Sequence, residues 1–376
     1  MPEAVIVSAV RTAIGKKNGA LAKVRADELL ARALAAAVAR ADVDPASIED
    51  VIAGCVTQVG EQGFNVARVA ALCAGFPVEV TGTTVNRQCG SSQQAFHFAV
   101  QAVQAGAMDV VLAGGVESMS RVPMGSDGMV QPSPWFPASP TYGHKFVMQH
   151  ESAEMVADKW GITRRQCEEL ALRSHQRAAQ AIETGRFRDE IVPIDGFAVD
   201  EGVRPNSTLE KLATLAPVVK PDGVVTAGTS SQISDGAAAI LVMSAERAAE
   251  LGKKPLARVK AMAVAGVDPV MMLHGPIPAT RKVLARAGLG LGDIDLFEVN
   301  EAFASVPLAW AKELGAPLDR TNVNGGACAL GHPLGASGCR LLTTLVHEMH
   351  KRDVRYGLST MCIGFGQATA TIVERI

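Results

Sequence analysis

The chain has 376 residues, a formal net charge of −2 and 48% hydrophobic residues. The length predicts two to three domains, and the composition excludes a disordered or collagen-like chain. The near-neutral charge does not suggest a nucleic-acid groove. Seven cysteines without clustered spacing are typical of reduced cytoplasmic thiols rather than of a disulfide framework.

Short apolar strands alternate with helices in the first third of the chain. The strands are predicted at 5–10, 51–53, 83–86 and 110–113, and the helices at 27–40 and 91–105. This alternation predicts an α/β fold with a largely parallel sheet and helices on both faces. No basic targeting segment precedes the first strand, and the apolar runs fall far short of the roughly 20 residues that cross a bilayer. We therefore expect a cytoplasmic protein without a membrane partner.

The chain contains an internal repeat. Residues 40–52 align without gaps with residues 286–298, each comprising a helix end, a turn and a strand. Val85-Asn86 and Val323-Asn324 follow in the same order, and both lead through a glycine-containing turn into a helix. Two copies of one α/β unit would pack about a pseudo-twofold axis, and a site at their junction would take loops from both.

The composition changes between the two copies. An early part is interrupted by five prolines, namely Pro123, Pro132, Pro134, Pro137 and Pro140. A helical stretch over 152–184 follows, and a buried strand returns at 235–242. We predict an inserted, lid-like loop domain at 119–232, a first half made of 1–118 and 233–254, and a second half at 255–376.

Cys89 lies between a predicted strand and a predicted helix. Unpaired N–H groups at a helix N-terminus stabilise a thiolate, so this position suits a nucleophile whose pKa is lowered. The alternative is a small buried residue at a tight turn. Cys362, where a strand meets a glycine-containing turn, could act as an acid or base, or could simply pack.

His332 lies in a glycine-dense loop over 325–338. The glycines allow the backbone to approach a ligand closely, although a loop histidine can also be a hydrogen-bonded structural group. Asn300 and Glu301 follow a strand and could point into a site, or could form a helix N-cap with its first-turn acid. His347 and His350 have the wrong spacing for a zinc helix motif, and we predict no metal site.

Four motifs together resemble the thiolase family and occur in that family's order. They are NRQCGSS at 86–92, VNEAFA at 299–304, GGACALGHPLGASG at 325–338 and CIGFG at 362–366. The resemblance covers essentially the whole chain. It implies a five-layered αβαβα fold of two similar halves with a loop domain, commonly assembled as a homodimer or homotetramer.

The resemblance also implies reversible thiolytic cleavage of a 3-ketoacyl-CoA by coenzyme A, which is a substrate, without a metal or redox cofactor. His332 would activate Cys89 as the nucleophile, and Cys362 would be the acid/base. One oxyanion hole would use His332 with a water held by Asn300. The other would use the backbone N–H groups of Cys89 and Gly364.

Further residues are carried over from the family's coenzyme A contacts. Ser231 matches the serine of the pantetheine loop, and Arg204 matches a basic residue near the nucleotide phosphates. Met148 stands where the acetoacetyl-CoA-forming branch often has a histidine, and Phe365 replaces a glycine. Both resemble the degradative branch, and both could line the acyl pocket. Cys55-Val56-Thr57-Gln58 also gives some similarity to thiolases of steroid or ring breakdown.

Several alternatives stay open from the sequence. The chain could be a biosynthetic acetyl-CoA acetyltransferase, a decarboxylating condensing enzyme or a non-catalytic acyl-CoA binder. Decarboxylating enzymes typically pair one cysteine with two histidines, whereas this chain offers Cys362. A smaller hypothesis concerns Cys328, because a disulfide from Cys328 or Cys362 to Cys89 would inactivate the enzyme reversibly.

Overall fold

The computed structural model describes residues 2–129 and 140–376. Three of the prolines predicted to interrupt the insertion, Pro132, Pro134 and Pro137, lie outside the described residues. The strands are β1 (Ala4–Thr12), β2 (Gly15–Lys16), β3 (Asp50–Gly54), β4 (Thr81–Val85), β5 (Val110–Ser118), β6 (Ile191–Val192), β7 (Ser234–Ser244), β8 (Ala257–Gly266), β9 (Leu296–Val299), β10 (Tyr356–Ile363) and β11 (Gln367–Arg375). The α-helices are α1 (Ala26–Ala41), α2 (Val66–Cys73), α3 (Ser91–Gln104), α4 (Gln149–Trp160), α5 (Arg164–Glu183), α6 (Leu209–Ala213), α7 (Ala245–Glu250), α8 (Pro276–Ala287), α9 (Ser305–Leu314), α10 (Ala327–Leu330) and α11 (Ser337–Arg352).

The strand order displays the internal repeat. The strands run β4-β3-β5-β7-β1-β8-β11-β10-β9, and a single bridge between Phe297 and Thr321 continues the order beyond β9. Numbered by their order within each half, the strands read 3-2-4-5-1 and then 1-5-4-2-3. The two sequences mirror each other about the antiparallel β1–β8 pair. The third strand of the second half is thus reduced to one bridge at Thr321.

Three apolar clusters define the layers. One packs α1 and α2 against the first-half strands, and another packs α8 and α9 against the second-half strands. Between them, α3 and α11 pack against strands of both halves, through side chains such as Phe96 and Leu342. The order helix, sheet, helix, sheet, helix is the five-layered fold that the resemblance implies.

The predicted elements match the observed ones except in two respects. The sheet is mixed rather than largely parallel, because β7 and β11 each run antiparallel to both neighbours. The helical stretch predicted over 152–184 is divided into α4 and α5 at Gly161, whose φ of 57° is left-handed. Glycine adopts that conformation without steric cost and so ends α4.

A buried ionic network joins β1 to the segment around β6. Arg11 Nε donates to Glu190 at 2.6 Å, and Nη1 donates to Asp200 at 2.7 Å, with all three side chains buried. We expect Arg11→Met to lower the free energy of unfolding by about 3–5 kcal/mol, because two carboxylates lose their buried partner. Denaturant unfolding measures this change.

The matched control is Arg165→Met, which removes an exposed arginine that pairs with Glu169 on the same helix face. Its effect should stay within about 1 kcal/mol. Equal effects of the two substitutions would contradict the role assigned to the buried network.

Candidate functional site

Cys89 occupies a strained turn immediately before α3. Gln88 has a φ of 45°, in the left-handed region, and Gly90 is the N-cap of the helix. The Cys89 side chain is 3% exposed. The Gln149 side chain reaches the thiol from the start of α4, with Nε2 at 4.0 Å from Sγ.

The electrostatics of Cys89 differ from the sequence prediction. Burial raises the pKa of Cys89 to about 11, and the charge of Glu117 acts in the same direction. Hydrogen bonds from Gln149 and from the Gly364 N–H lower that pKa but do not offset burial. The prediction of a lowered pKa is therefore wrong, because desolvation outweighs the favourable donors at the helix N-terminus. The thiol is neutral at pH 7 and needs a base.

The end of β10 brings the second cysteine next to Cys89. Cys362 is buried, and burial together with the nearby Cys89 raises the pKa of its thiol. The following Gly364 N–H donates to the Cys89 thiol. The two turns touch closely, since a Cβ on Gly90 would lie 2.2 Å from Cδ1 of Ile363. The structure thus brings Cys89, Cys362 and Gly364 together.

His332 is buried, and its two ring nitrogens have distinct partners. Nδ1 lies 2.6 Å from Oγ of Ser337, whose single proton goes to the Pro333 carbonyl at 2.8 Å. Ser337 must then accept from Nδ1–H, so Nε2 carries no proton and accepts from Nδ2 of Asn300 at 3.3 Å. Burial, followed by the charge of Arg340, lowers the pKa of His332 to about 3. A neutral imidazole with a bare Nε2 is a proton acceptor.

This arrangement predicts a role for Ser337 in setting the tautomer. We expect Ser337→Ala to lower kcat by about 10- to 100-fold, because the imidazolium formed on proton uptake loses its acceptor at Nδ1. Steady-state turnover of the 3-ketoacyl-CoA substrate that the resemblance implies measures the change. Ser244→Ala is the matched control, since Ser244 caps α7 outside the site. Equal kcat values for the two variants would contradict the assignment.

Asn300 and Glu301 take different roles. The Asn300 N–H donates to the Thr360 carbonyl at 3.1 Å, which fixes it beside β10. Its Oδ1 is buried and makes no hydrogen bond to the described residues. The Glu301 carboxylate instead accepts from Ser174 at 2.7 Å and from Asn322 at 2.8 Å, and so organises the loops. The helix N-cap alternative is wrong, because α9 starts later and its N-cap is Ala304.

The loop at 226–232 contacts both the loop that follows β9 and the loop that carries His332. Ser231 N–H donates to the Ala302 carbonyl at 2.9 Å, and the Gln232 carbonyl accepts from the His332 N–H at 3.1 Å. Arg204 is exposed, and its N–H donates to Nδ1 of His175 at 3.1 Å. The Gln232 side chain links the two predicted coenzyme A contacts, because its Nε2 donates to the Gly202 carbonyl at 2.9 Å, two residues before Arg204.

The predicted acyl-pocket residues lie near an aromatic pair. Phe365 has a φ of 60°, which is unusual for a bulky residue, and its ring centroid lies 6.3 Å from that of Phe146. Met148 is half-exposed at the N-cap of α4, two residues from Phe146 and next to Gln149. The segment that supplies Gln149 to the nucleophile thus also carries Phe146 and Met148.

Sequence reasoning missed three residues of this site. Gln149 is adjacent to Met148 and Ser337 lies inside a quoted motif, so both had a local signal. The third, Glu117, had none, because its partners are distant in the chain. Cys328 packs near Cys167, with its thiol 3.7 Å from the Glu301 carbonyl, and its redox role stays a hypothesis.

The two histidines of α11 bind backbone carbonyls. The rings of His347 and His350 bind the carbonyls of Ala9 and Leu256, and His350 is the exposed one of the two. No helix within 2–129 and 140–376 is both long and apolar enough to traverse a membrane. The same ranges hold no cluster of three or more His, Cys, Asp or Glu side chains suited to a metal ion.

Comparison with known families fits this geometry. The model described as "Thiolase, N-terminal domain" matches residues 4–246, and "Thiolase, C-terminal domain" matches residues 253–375. The chain belongs to the thiolase family. The resemblance inferred from the four motifs is thereby confirmed, and the two matched domains meet between β7 and β8.

Curated relatives cover the full chain of this family member. It is 47% identical to the steroid 3-ketoacyl-CoA thiolase FadA6 of Mycobacterium tuberculosis, over 100% of this chain and 95% of the relative. It is 49% identical to a 3-ketoacyl-CoA thiolase of Aeromonas salmonicida, over 100% of both.

Solved thiolase structures share the fold. The acetyl-CoA acetyltransferase of Bacillus anthracis superposes with a TM-score of 0.93 at 42% identity, covering 100% of this chain and 99% of that one. The human mitochondrial 3-ketoacyl-CoA thiolase in complex with CoA gives 0.92 at 38% identity, covering 100% and 98%. The predicted fold class is thereby confirmed.

Proposed function

We propose that this protein is a degradative 3-ketoacyl-CoA thiolase, which cleaves a 3-ketoacyl-CoA with coenzyme A into acetyl-CoA and a shortened acyl-CoA. The contact between the Cys89 turn of one half and the Cys362–Gly364 turn of the other carries the proposal. Two thiols and a neutral imidazole at one junction are what a two-step acyl exchange requires.

In the first step, Nε2 of His332 takes the proton of Cys89 as the sulfur attacks the 3-keto carbon. The bond between C2 and C3 then breaks, which leaves the acyl group on Cys89 and the electron pair on the acetyl-CoA enolate. The Cys362 thiol protonates that enolate at C2. The raised pKa of Cys362 keeps it protonated for this task.

In the second step, the Cys362 thiolate takes the proton of coenzyme A, whose sulfur attacks the acyl-Cys89 thioester. The Cys89 sulfur leaves and recovers its proton from His332. Each group returns to its starting state, so the cycle is complete without a metal or redox cofactor. Coenzyme A enters as a substrate.

Fixed donors would stabilise the oxyanions that develop in both steps. We assign one hole to His332 with a water held by Asn300, whose buried Oδ1 offers a further acceptor. The other hole uses the N–H groups of Cys89 and Gly364. Ser231 and Arg204 would contact the pantetheine and the nucleotide phosphates from the inserted segment.

The domain boundaries follow from the same arrangement. We propose that 1–118 with 233–254, and 255–376, form the two halves. The segment 119–232 forms the coenzyme A-binding insertion, and the loop contacts of Ser231 and Gln232 support its place over the site.

The substrate proposal favours acyl groups longer or bulkier than acetoacetyl. Phe365, Phe146 and the half-exposed Met148 give an apolar flank beside Gln149. The similarity to a steroid thiolase at 47% identity supports ring-derived acyl-CoA or fatty acyl-CoA degradation. The free, mostly buried cysteines among the described residues support a cytoplasmic location.

A substrate series tests the function. Purified protein with coenzyme A and 3-ketoacyl-CoAs, from acetoacetyl to long-chain and steroid-ring acyl groups, should yield acetyl-CoA and the shortened thioester. We expect kcat/KM to be highest above the acetoacetyl length. A preference for acetoacetyl-CoA would favour the biosynthetic alternative, and consumption of a malonyl thioester would favour the decarboxylating one. No product at any length would reject the proposal.

The assembly state is proposed separately. β4 pairs only with β3 within the described residues, so its outer edge is open, and Phe64 and Val78 nearby are 98% and 71% exposed. Open edges with exposed apolar residues favour pairing with a second chain. We propose a homodimer through this edge, which two dimers can extend to a homotetramer.

Light scattering in solution tests this assembly. A Phe64→Asp, Val78→Asp double variant should shift the particle to the monomer mass, whereas Val199→Asp, at another exposed apolar site, should not. A monomeric wild-type protein, or a double variant with unchanged mass, would refute the interface.

A further inference from the structure

Glu117 is a fully buried carboxylate that belongs to none of the motifs. It lies at the end of β5 and is 0% exposed. Oε1 accepts from the Thr57 N–H at 3.0 Å and from Nε2 of Gln62 at 2.8 Å. Oε2 accepts from the N–H groups of Val56 at 3.0 Å and Gly335 at 2.8 Å. Burial raises the pKa of Glu117, whereas the four donors lower it, and the ionised carboxylate is the form that accepts from all four.

One of these donors belongs to the loop that carries His332. Gly335 follows His332 by three residues, and its backbone is pressed against the first half. A Cβ on Gly335 would lie 2.4 Å from the Val116 carbonyl oxygen, and a Cβ on Gly115 would lie 2.1 Å from the Gly335 oxygen. The histidine loop of the second half is therefore seated on the end of β5, and Glu117 holds its N–H there.

Two other donors belong to the loop that supports the nucleophile. The Val56 carbonyl accepts from Nδ2 of Asn86 at 2.9 Å, and Oδ1 of Asn86 accepts from the Gln88 N–H at 2.9 Å. Gln88 is the residue before Cys89. Val56, Cys89 and Leu334 also share one apolar cluster. Glu117 thus binds both the loop that supports the Cys89 turn and the loop that carries His332.

We propose that Glu117 is a positioning residue that fixes the Cys89 turn and the His332 loop relative to each other through its four N–H donors. This placement disfavours the Cys89 thiolate, because the charge of Glu117 adds to the effect of burial in raising the pKa of Cys89. We explain the presence of Glu117 by the hydrogen bonds with which it holds the two loops. Displacements near 1 Å at reacting groups can cost about 100-fold in rate.

The test is Glu117→Gln, assayed in the full-length protein. The amide keeps the shape, but its NH₂ group faces two of the four N–H donors in either orientation. We expect kcat to fall by about 100-fold while KM changes by less than about threefold, since the coenzyme A contacts lie on other loops. The inference rests on the proposed function. Absent wild-type cleavage would refute that function, whereas an active wild type with an equally active variant refutes only the role of Glu117.

Glu348→Gln is the matched control. Glu348 lies on α11 and is also a buried carboxylate, which accepts from Arg186, Arg352 and Asn324. It should lose thermal stability but keep its kcat. The same loss of kcat in both variants at equal loss of stability would reduce Glu117 to a structural residue and overturn the proposal.

Gln62→Leu covers the case in which the Glu117 variant does not fold. It removes one of the four donors and leaves the carboxylate in place. We expect kcat to fall in the same sense, by a smaller factor, with KM again less affected. A folded Gln62→Leu protein with wild-type kcat would overturn the proposal.

Discussion

Cys89→Ala is expected to reduce turnover by roughly 10⁴- to 10⁶-fold, the loss typical of removing a covalent nucleophile. The residual rate would come from the binding loops and oxyanion donors alone. The geometry explains why no other thiol substitutes. Cys362 lies beside Cys89 near the end of β10, where burial and the neighbouring Cys89 raise its pKa above that of Cys89. Release of acetyl-CoA, followed by chromatography, measures the loss.

Cys73→Ala is the matched control, because Cys73 is exposed at the end of α2 and belongs to none of the four motifs. It should keep wild-type turnover. In the wild-type protein, mass spectrometry of the peptide that contains residue 89 should detect an acyl adduct after substrate addition. An adduct on a different cysteine, or turnover retained by the Cys89 variant, would move the nucleophile elsewhere.

His332→Asn is expected to lower kcat/KM near neutral pH by up to about 10⁴-fold. A thiol of pKa about 11 is ionised in only about one molecule in 10⁴ at pH 7. Without the imidazole, only solvent can take the proton of the Cys89 thiol to form the thiolate, which is the reactive form. Raising the pH increases the thiolate fraction, so the rate of the variant should rise about tenfold per pH unit until the pH approaches that pKa. The wild-type rate should change far less, because His332 stays neutral well above its pKa of about 3.

The measurement is kcat/KM across pH for the variant, the wild type and His350→Asn. His350 is exposed on α11, and its ring binds the Leu256 carbonyl, so its replacement should leave the profile unchanged. A His332 variant with a flat profile and near-normal rate would show that another group takes the proton of Cys89.

Local sequence patterns predicted the secondary structure well because their information is short-range. The period of apolar residues identified β1, α1, β3 and β5, and the alignment of 40–52 with 286–298 predicted the paired halves. The antiparallel direction of β7 was not predictable from its composition. A buried apolar run has no polarity signal, so only its pairing with β5 and β1 decides its direction.

The site was only partly predictable for a similar reason. Asn300, His332 and Cys362 lie in motifs dense in glycine or polar residues, and those patterns suggested chemistry without knowledge of the fold. Glu117 lies in an apolar strand and meets Gly335, which is 218 residues away in the chain. No local pattern encodes a contact at that separation.

The sequence by itself determined the types of reactive groups, the order of the four motifs and the twofold repeat that brings them to one junction. The tertiary structure alone decided the protonation of these reactive groups. A helix N-terminus favours the thiolate, but the packing of α3 against the second half buries Cys89 and raises its pKa instead. The tertiary structure also decided the tautomer of His332, because the Ser337 hydroxyl donates a hydrogen bond to the Pro333 carbonyl and accepts one from Nδ1 of His332. Desolvation and hydrogen-bond direction depend on neighbours that only the folded chain brings into contact.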